Sequence, residues 1–246
     1  MIKILGYDFE DNPVEGFFCD FRKRRIKLFF DDVYDICLNK YINKKSILTI
    51  KDWEAARSRY NNGIIPVSEY ENFYSNIGII NLLTSYEKKE KICTIYAETI
   101  DNRYIEIQFD NAVVEIKSEN YEEKANDIIF THNLSFDNIK INSFFYADDN
   151  KRLELSFDKF IVKNEKNNNC KNILVIKSWQ EARSRIHKEG NEPIRYTCYW
   201  QENMGIISDI LKYRQVNGII TVTVKTTDKR IVDLSFKNAD VFIRTV

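Results

Sequence analysis

The chain has 246 residues, 43% hydrophobic and 13% aromatic, which supplies the apolar surface for a folded core and excludes a disordered tail. Lys plus Arg and Asp plus Glu number 37 each, so the global positive field used in non-specific nucleic-acid binding is missing and no nucleic-acid partner is expected. No stretch reaches the roughly 20 apolar residues of a membrane-spanning helix and no signal-peptide run opens the chain, so a cytoplasmic protein without a membrane partner is expected.

From the N-terminus, the basic run "FRKRR" (21 to 25) precedes "RRIKLFF" (24 to 30), whose alternation of apolar and polar residues predicts a strand with one buried face. The run is placed at a turn, as a solvated cluster. The acidic segment "FFDDVYD" follows, with Asp31, Asp32 and Asp35 beside Tyr34. Paired carboxylates divide acid and base roles only where their environments push their pKa values apart. The matching later segment "SFDKFIV" retains only Asp158, and Asp at a strand end is ordinary turn chemistry. Asp31, Asp32, Tyr34 and Asp35 are therefore assigned to a partner-binding patch, with Asp8, Glu10, Asp11 and Asp20 as possible neighbours.

Next comes "SILTIKDWEAARSR", an apolar strand followed by Asp52, a good helix N-cap. A short helix over 53 to 60 is predicted. On it Trp53, Ala56 and Tyr60 share one face at i, i+3 and i+7, while Arg57 and Arg59 point about 200° apart and cannot enter one site. The segment "GIINLLTSYEKK" (78 to 89) suits strand or helix, with strand favoured by its counterpart, where "VNG" resembles a hairpin turn. "KICTIYAETI" and "RYIEIQFDNAVVEI", joined by "TIDNRY", read as a β-meander broken at Asp-Asn.

After the polar segment "KSENYEEKAN" (117 to 126) the pattern begins again. Phe18 recurs as Phe145, Asp31 as Asp158, Gly78 as Gly205, Tyr86 as Tyr213, Asp101 as Asp228 and Phe109 as Phe236, each 127 positions on. Trp53 recurs as Trp179, 126 positions on, so the second copy has lost one residue before it. There "NILVIKSWQEARSRIH" predicts a second helix, 179 to 187, with Ser178 as N-cap, Glu181 completing a capping box, and Trp179, Ala182 and Ile186 on its buried face. The chain is read as a tandem duplication with domains 1–119 and 127–246 and a linker over 117–126. Each domain is expected to be mainly β (α+β), sandwich-like, with six or seven strands and one short capped helix. Trp53, Ala56, Trp179, Ala182, Phe109 and Phe236 are assigned to the core.

Five scattered cysteines without a CxxC pair fit neither a disulfide framework nor a zinc site, and are expected to be small buried hydrophobes. His132 and His187 have no partner in the repeat. No HxxxH, GxSxG or glycine-rich phosphate loop occurs, so no catalytic residue, metal or cofactor is expected.

The opening "IKILGYDFEDNPVEGFFCDFRKRRIKLFFDDVYD", the "ILTIKDWEAARSR" strand and the terminal "DNRYIEIQFDNAVVEI" resemble the small immunity proteins encoded beside bacterial polymorphic and contact-dependent toxins, here in a duplicated form. The resemblance implies a non-catalytic protein that binds a cognate protein toxin in the cytoplasm, through an interface of roughly 1,200–2,000 Å² anchored by a few aromatic, Arg or Asp residues. The alternatives are a two-domain adaptor or small-ligand-binding module using the interdomain cleft, and an enzyme whose catalytic residues differ between the copies.

Overall fold

The computed structural model describes residues 3–9, 12–42, 45–62, 65–118, 128–130, 134–149, 151–158, 160–162, 165–167, 172–187, 196–197 and 199–245. Most of the expected linker, together with Glu10, Asp11, His132, Cys170 and Cys198, lies outside the described residues. The chain is mainly β and divides into two compact units, Met1–Glu123 and Lys124–Val246.

The first unit contains β1 (Lys3–Ile4), β2 (Tyr7–Asp8), β3 (Gly16–Asp20), β4 (Arg25–Phe30), β5 (Val33–Asp35), β6 (Lys40–Ile42), β7 (Ser46–Lys51), β8 (Ala55–Asn61), β9 (Glu71–Asn72), the single-turn helix α1 (Phe73–Asn76), β10 (Ile80–Lys89), β11 (Ile92–Thr99), β12 (Tyr104–Asp110) and β13 (Val113–Ser118). Antiparallel pairing orders them as β13-β7-β4-β3, as β10-β11-β12-β8-β9, and as β1-β2-β5-β6. The strand faces turned inward are apolar: Ile26, Leu28 and Phe30 on β4, Leu48 and Ile50 on β7, Cys93, Ile95 and Ala97 on β11, and Ile105, Ile107 and Phe109 on β12 are all buried.

The second unit contains β14 (Ile128–Phe130), β15 (Leu134–Ser135), β16 (Asp137–Lys140), β17 (Ser143–Ala147), β18 (Arg152–Phe157), β19 (Phe160–Val162), β20 (Glu165–Asn167), β21 (Asn172–Lys177), β22 (Glu181–Ile186), a 3₁₀ turn (Trp200–Asn203), β23 (Ile207–Val216), β24 (Ile219–Thr226), β25 (Ile231–Lys237) and β26 (Asp240–Thr245). Its sheets are ordered β17-β18-β21-β26-β14, β16-β23-β24-β25-β22 and β15-β19-β20. The 78–89 segment and its counterpart are strands, β10 and β23, and each shows two register shifts against the next strand. Asn217 and Gly218 close the β23–β24 hairpin with φ of 50° and 74°, the left-handed pair that a tight hairpin turn requires.

The predicted helices over 53 to 60 and 179 to 187 are strands instead, β8 and β22. Asp52 and Ser178 do not cap helices. They have φ of 56° and 57°, left-handed kinks at which the chain leaves one sheet and enters another. Alongside, β12 passes into β13 through a second kink at Asn111, φ 55°. Thus β7 pairs with β13 before the corner and β8 with β12 after it, both antiparallel, with the register shifted by one residue at the bend, where Asp52, Trp53 and Glu54 face Asn111 and Ala112. Glu54 N–H donates to the Asp110 carbonyl at 2.9 Å and the Asn111 amide donates to Glu54 at 2.6 Å, which pins the two bends together. Gln180, Lys237 and Asn238 repeat the arrangement at 3.0 and 2.8 Å. Corners of this kind let one strand serve two sheets.

The i, i+3, i+7 spacing was a coincidence of two patterns. Trp53 precedes the strand, and within it Ala56, Ser58 and Tyr60 alternate with Arg57 and Arg59 at period 2. The open edge of β12 supplies seven residues of pairing, and such tertiary pairing overrides the weak local preference of "WEAARSR" for helix. Among the described residues helical turns occur once per unit, but at Phe73–Asn76 and Trp200–Asn203, and of these two the first has a side-chain cap, Asn72 accepting from the Tyr74 N–H. The strands number thirteen in each unit among the described residues, several of two or three residues, against the six or seven expected. Cys19 and Cys93 are buried, whereas Cys37 is exposed on the turn after β5, contrary to its assignment to the core.

Gly78 and Gly205 mark a close approach. A Cβ at Gly78 would lie 2.7 Å from Thr99 Cγ2, while Thr99 is fixed by donating to Asp101 at 2.6 Å and accepting from the Arg103 N–H at 3.1 Å. Gly78→Ala is expected to cost about 1–3 kcal/mol by overpacking. Gly205→Ala, whose nearest neighbour is the flexible Arg230 guanidinium at 2.9 Å, is expected to cost less when both variants are compared by urea unfolding.

Candidate functional site

On a strand, residues two apart share a face. Arg57 and Arg59 therefore point the same way, outward from the β10-β11-β12-β8-β9 sheet, which overturns the expectation that they diverge. Across from them β12 presents Glu106 opposite Arg59 and Gln108 opposite Arg57. Arg59 grips one carboxylate oxygen of Glu106 through Nε and a terminal nitrogen, both at 2.7 Å. Tyr70, which enters from the loop before β9, donates its hydroxyl to the other oxygen, and Gln108 donates to that oxygen at 3.3 Å. The Glu106 side chain is only 3% exposed, so both oxygens are satisfied inside the protein rather than by water.

The Tyr70 ring is shared by two cations, the Arg59 guanidinium at 4.1 Å and that of Arg57 at 4.8 Å from its centroid. Burial, the hydrogen bond to Glu106 and its charge raise the Tyr70 phenol above its usual value, outweighing the two arginines, so it remains a donor at neutral pH. Arg57 donates through Nε to Gln108 at 2.8 Å while its side chain stays exposed. Ile65 and Val67, 61% and 63% exposed, lie on the loop that carries Tyr70.

The second unit builds the same figure with different parts. Arg185 donates to Asp233 at 2.8 Å and stacks 4.5 Å from the Tyr196 ring. Asp233 is one methylene shorter than Glu106, and Tyr196 takes a hydrogen bond from Ser235 instead, at 3.2 Å. Thr223 donates to Asp233 at 2.7 Å, and His187 Nε2 stands 3.1 Å from it. Burial opposes the charged form of Asp233, but the hydrogen bonds from Thr223 and Arg185, with the close approach of His187, prevail and hold its carboxyl below the usual range. A depressed folded-state value stabilises the fold at neutral pH and is lost as pH falls below about 4, the unfolded aspartate value, and on through the folded one. Asp233→Asn is expected to flatten the acid limb of a stability-against-pH curve; an unchanged limb would count against this role.

His187 had no assigned role in the sequence. Period 2 applied to "EARSRIH" places Arg183, Arg185 and His187 on one face, the signal that the helical reading hid. The inward-facing Ser58 and Ser184 were missed as well. Both are fully buried and donate to the carbonyls of Phe73 and Trp200, at 2.9 and 2.8 Å, tying the strand to the helical turn beneath.

In the acidic segment, β2 brings Asp8 into register opposite Tyr34 on β5. Asp31 and Asp32 are exposed, with Asp31 3.5 Å from Lys45. Asp35 is 8% exposed and accepts the Leu38 N–H at 2.9 Å, capping the turn between β5 and β6. Tyr34 donates to Asn39 at 2.6 Å and packs edge-on against Tyr41. Asp20 accepts from the N–H groups of Arg22 and Lys23, which makes it a turn residue, and "FRKRR" forms that turn. Trp53 and Trp179 are 5% and 4% exposed at the corners, over Phe109 and Phe236, both fully buried; Ala56 and Ala182 are half-buried on β8 and β22. No helix among the described residues is long and apolar enough to cross a membrane.

Comparison with protein-family models and with curated protein sequences finds no match.

Proposed function

We propose that this chain is a non-catalytic binding protein, an immunity protein that neutralises a cognate protein toxin in the bacterial cytoplasm by forming a stoichiometric complex. Its two units are the copies of a tandem duplication, with domains over 1–119 and 127–246. Matching element order, matching corners and matching positive-φ sites support the duplication.

One observation carries the binding reading. Each unit presents a pair of arginines on an outer sheet face, one of them stacked on a tyrosine and locked to a buried carboxylate. Arg and Tyr dominate interface energetics, and side chains held in place before contact lose less entropy on binding. Behind this face the scaffold is constant, while Glu106 against Asp233, Gln108 against Ser235 and Asn61 against His187 alter what each copy displays.

The test is co-expression with a candidate toxin domain, followed by co-purification and calorimetry. Exposed Arg57 and Arg183 can be truncated without disturbing the buried acids, and Arg57→Ala or Arg183→Ala is expected to weaken the complex by about 2 kcal/mol, the size of an interface hot spot. Protection of cells without any complex would sink direct inhibition. A second reading, a small-ligand-binding module, has in its favour a cavity of about 440 Å³ at the second unit's corner, lined by Trp179, Trp200, Asp148, Lys151 and Arg183. In the first unit Phe21 and Tyr74, 5.6 Å apart, stand where Asp148 and Gln201 stand in the second.

A further inference from the structure

The outer face of the first unit's other sheet carries an unbalanced charge. On β4, β7 and β13 the residues Arg25, Lys27, Lys51 and Lys117 surround a cavity of about 210 Å³, with Glu115 and Thr49 in the same lining. Register places Arg25 directly opposite Lys51, and Lys27 opposite Thr49, which faces Glu115 on its other side. Like charges directly opposite on neighbouring strands repel. Glu115 answers part of this charge, lying 2.9 Å from Lys51 and 3.9 Å from Lys117. Arg25 Nε is buried and has no hydrogen-bond partner among the described residues.

The equivalent face of the second unit is balanced from within. Glu154 occupies the position of Lys27, and it is held by Arg152 at 2.8 Å and Arg244 at 3.2 Å. Asp240 occupies the position of Val113 and is paired in register with Lys177. Three cations there meet two carboxylates, Glu154 and Asp240, whereas in the first unit four cations meet only Glu115. The first unit has a lysine where its sister has an internal anion.

We propose that this cavity is a docking site for an acidic segment of a protein partner, whose carboxylates lie against Arg25, Lys27 and Lys117 as Glu154 lies against Arg152 and Arg244. The segment is a polypeptide rather than nucleic acid because Glu115 stands inside the lining, where it repels a continuous row of phosphates but leaves room for spaced carboxylates. This site names the chemistry of a second contact and rests on the binding-protein reading.

The experiment is an amide-resolved NMR titration of the full chain with an oligoglutamate peptide at low salt, with oligolysine and inorganic phosphate as further probes. Oligoglutamate is expected to shift the amides of β4, β7 and β13, to lose its effect at high salt, and to bind about tenfold more weakly to Lys27→Glu, which installs the anion of the second unit. Lys117→Gln provides a second variant that removes charge without adding an acid, and it is expected to weaken binding in the same direction. Equal affinity for both variants and the parent, or shifts confined to other strands, would overturn the proposal. Inorganic phosphate displacing the peptide at lower concentration than the peptide itself requires would make a free oxyanion the occupant and also overturn it. Because no toxin is used, failure here is separable from failure of the immunity reading, which the Arg57 and Arg183 variants test.

Discussion

Trp53→Ala is expected to destabilise the protein by about 3–5 kcal/mol, read from urea unfolding followed by circular dichroism. The indole is 5% exposed and lies 5.0 Å from the Phe109 ring and 5.5 Å from that of Phe73. It fills the inside of a bend made by two left-handed residues, Asp52 and Asn111, so the backbone around it has little freedom to collapse onto the vacated space. Arg24 also donates to the Trp53 and Glu54 carbonyls at 3.2 Å, holding the bend from the outside. The second unit gives an internal control. Trp179 borders the corner cavity together with Trp200, so its truncation enlarges an existing opening rather than creating a new void. Trp179→Ala is expected at the lower end of the same range. A cost near zero for Trp53→Ala would place the ring at the surface, and a larger cost for Trp179→Ala would remove the corner cavity as the reason for the difference.

The β class was legible because alternation over "RRIKLFF", "KICTIYAETI" and "IITVTVKTT" is unambiguous, and Asp-Asn and Asn-Gly mark bends that tolerate positive φ. The corner was not. Period-2 analysis assumes that a strand belongs to one sheet, and Trp53 belongs to the bend between two. Its spacing to Ala56 and Tyr60 then imitated a helix, and Asp52 imitated a cap because the residues that favour N-caps also tolerate the left-handed region. That single misreading hid the candidate site, since it sent Arg57 and Arg59 to opposite sides. Tyr70 was beyond reach for another reason. It comes from a loop whose path is set by the Val67 N–H donating to the Tyr60 carbonyl and by Ser68 accepting the Tyr60 N–H, neither of which leaves a periodic trace.

Replacement of Glu106 separates the two uses of the arginine cluster. Glu106→Ala leaves the partly buried Arg59 side chain, 23% exposed, without its carboxylate and Tyr70 without its acceptor. Breaking one side of a buried ion pair costs about 3–5 kcal/mol, because the remaining charge is neither hydrated nor neutralised. Solvent reaching Arg59 moves the expectation to the lower half of that range. Glu106→Gln keeps an acceptor for Tyr70 and the shape of the side chain, and is expected to cost about 1–3 kcal/mol. It removes the negative charge that fixes Arg59 over the tyrosine ring, so the arginines should gain mobility while the fold persists. If the cluster is only a brace for the sheet, affinity for the proposed partner measured on the folded Glu106→Gln protein will match that of the parent. If the arginines are preorganised contacts, affinity falls while the unfolding transition stays cooperative, since order lost before binding must be recovered on binding. The comparison of Glu106→Gln with Arg57→Ala then distinguishes positioning from contact: the first acts through Arg59, and the second removes a group that no buried acid restrains.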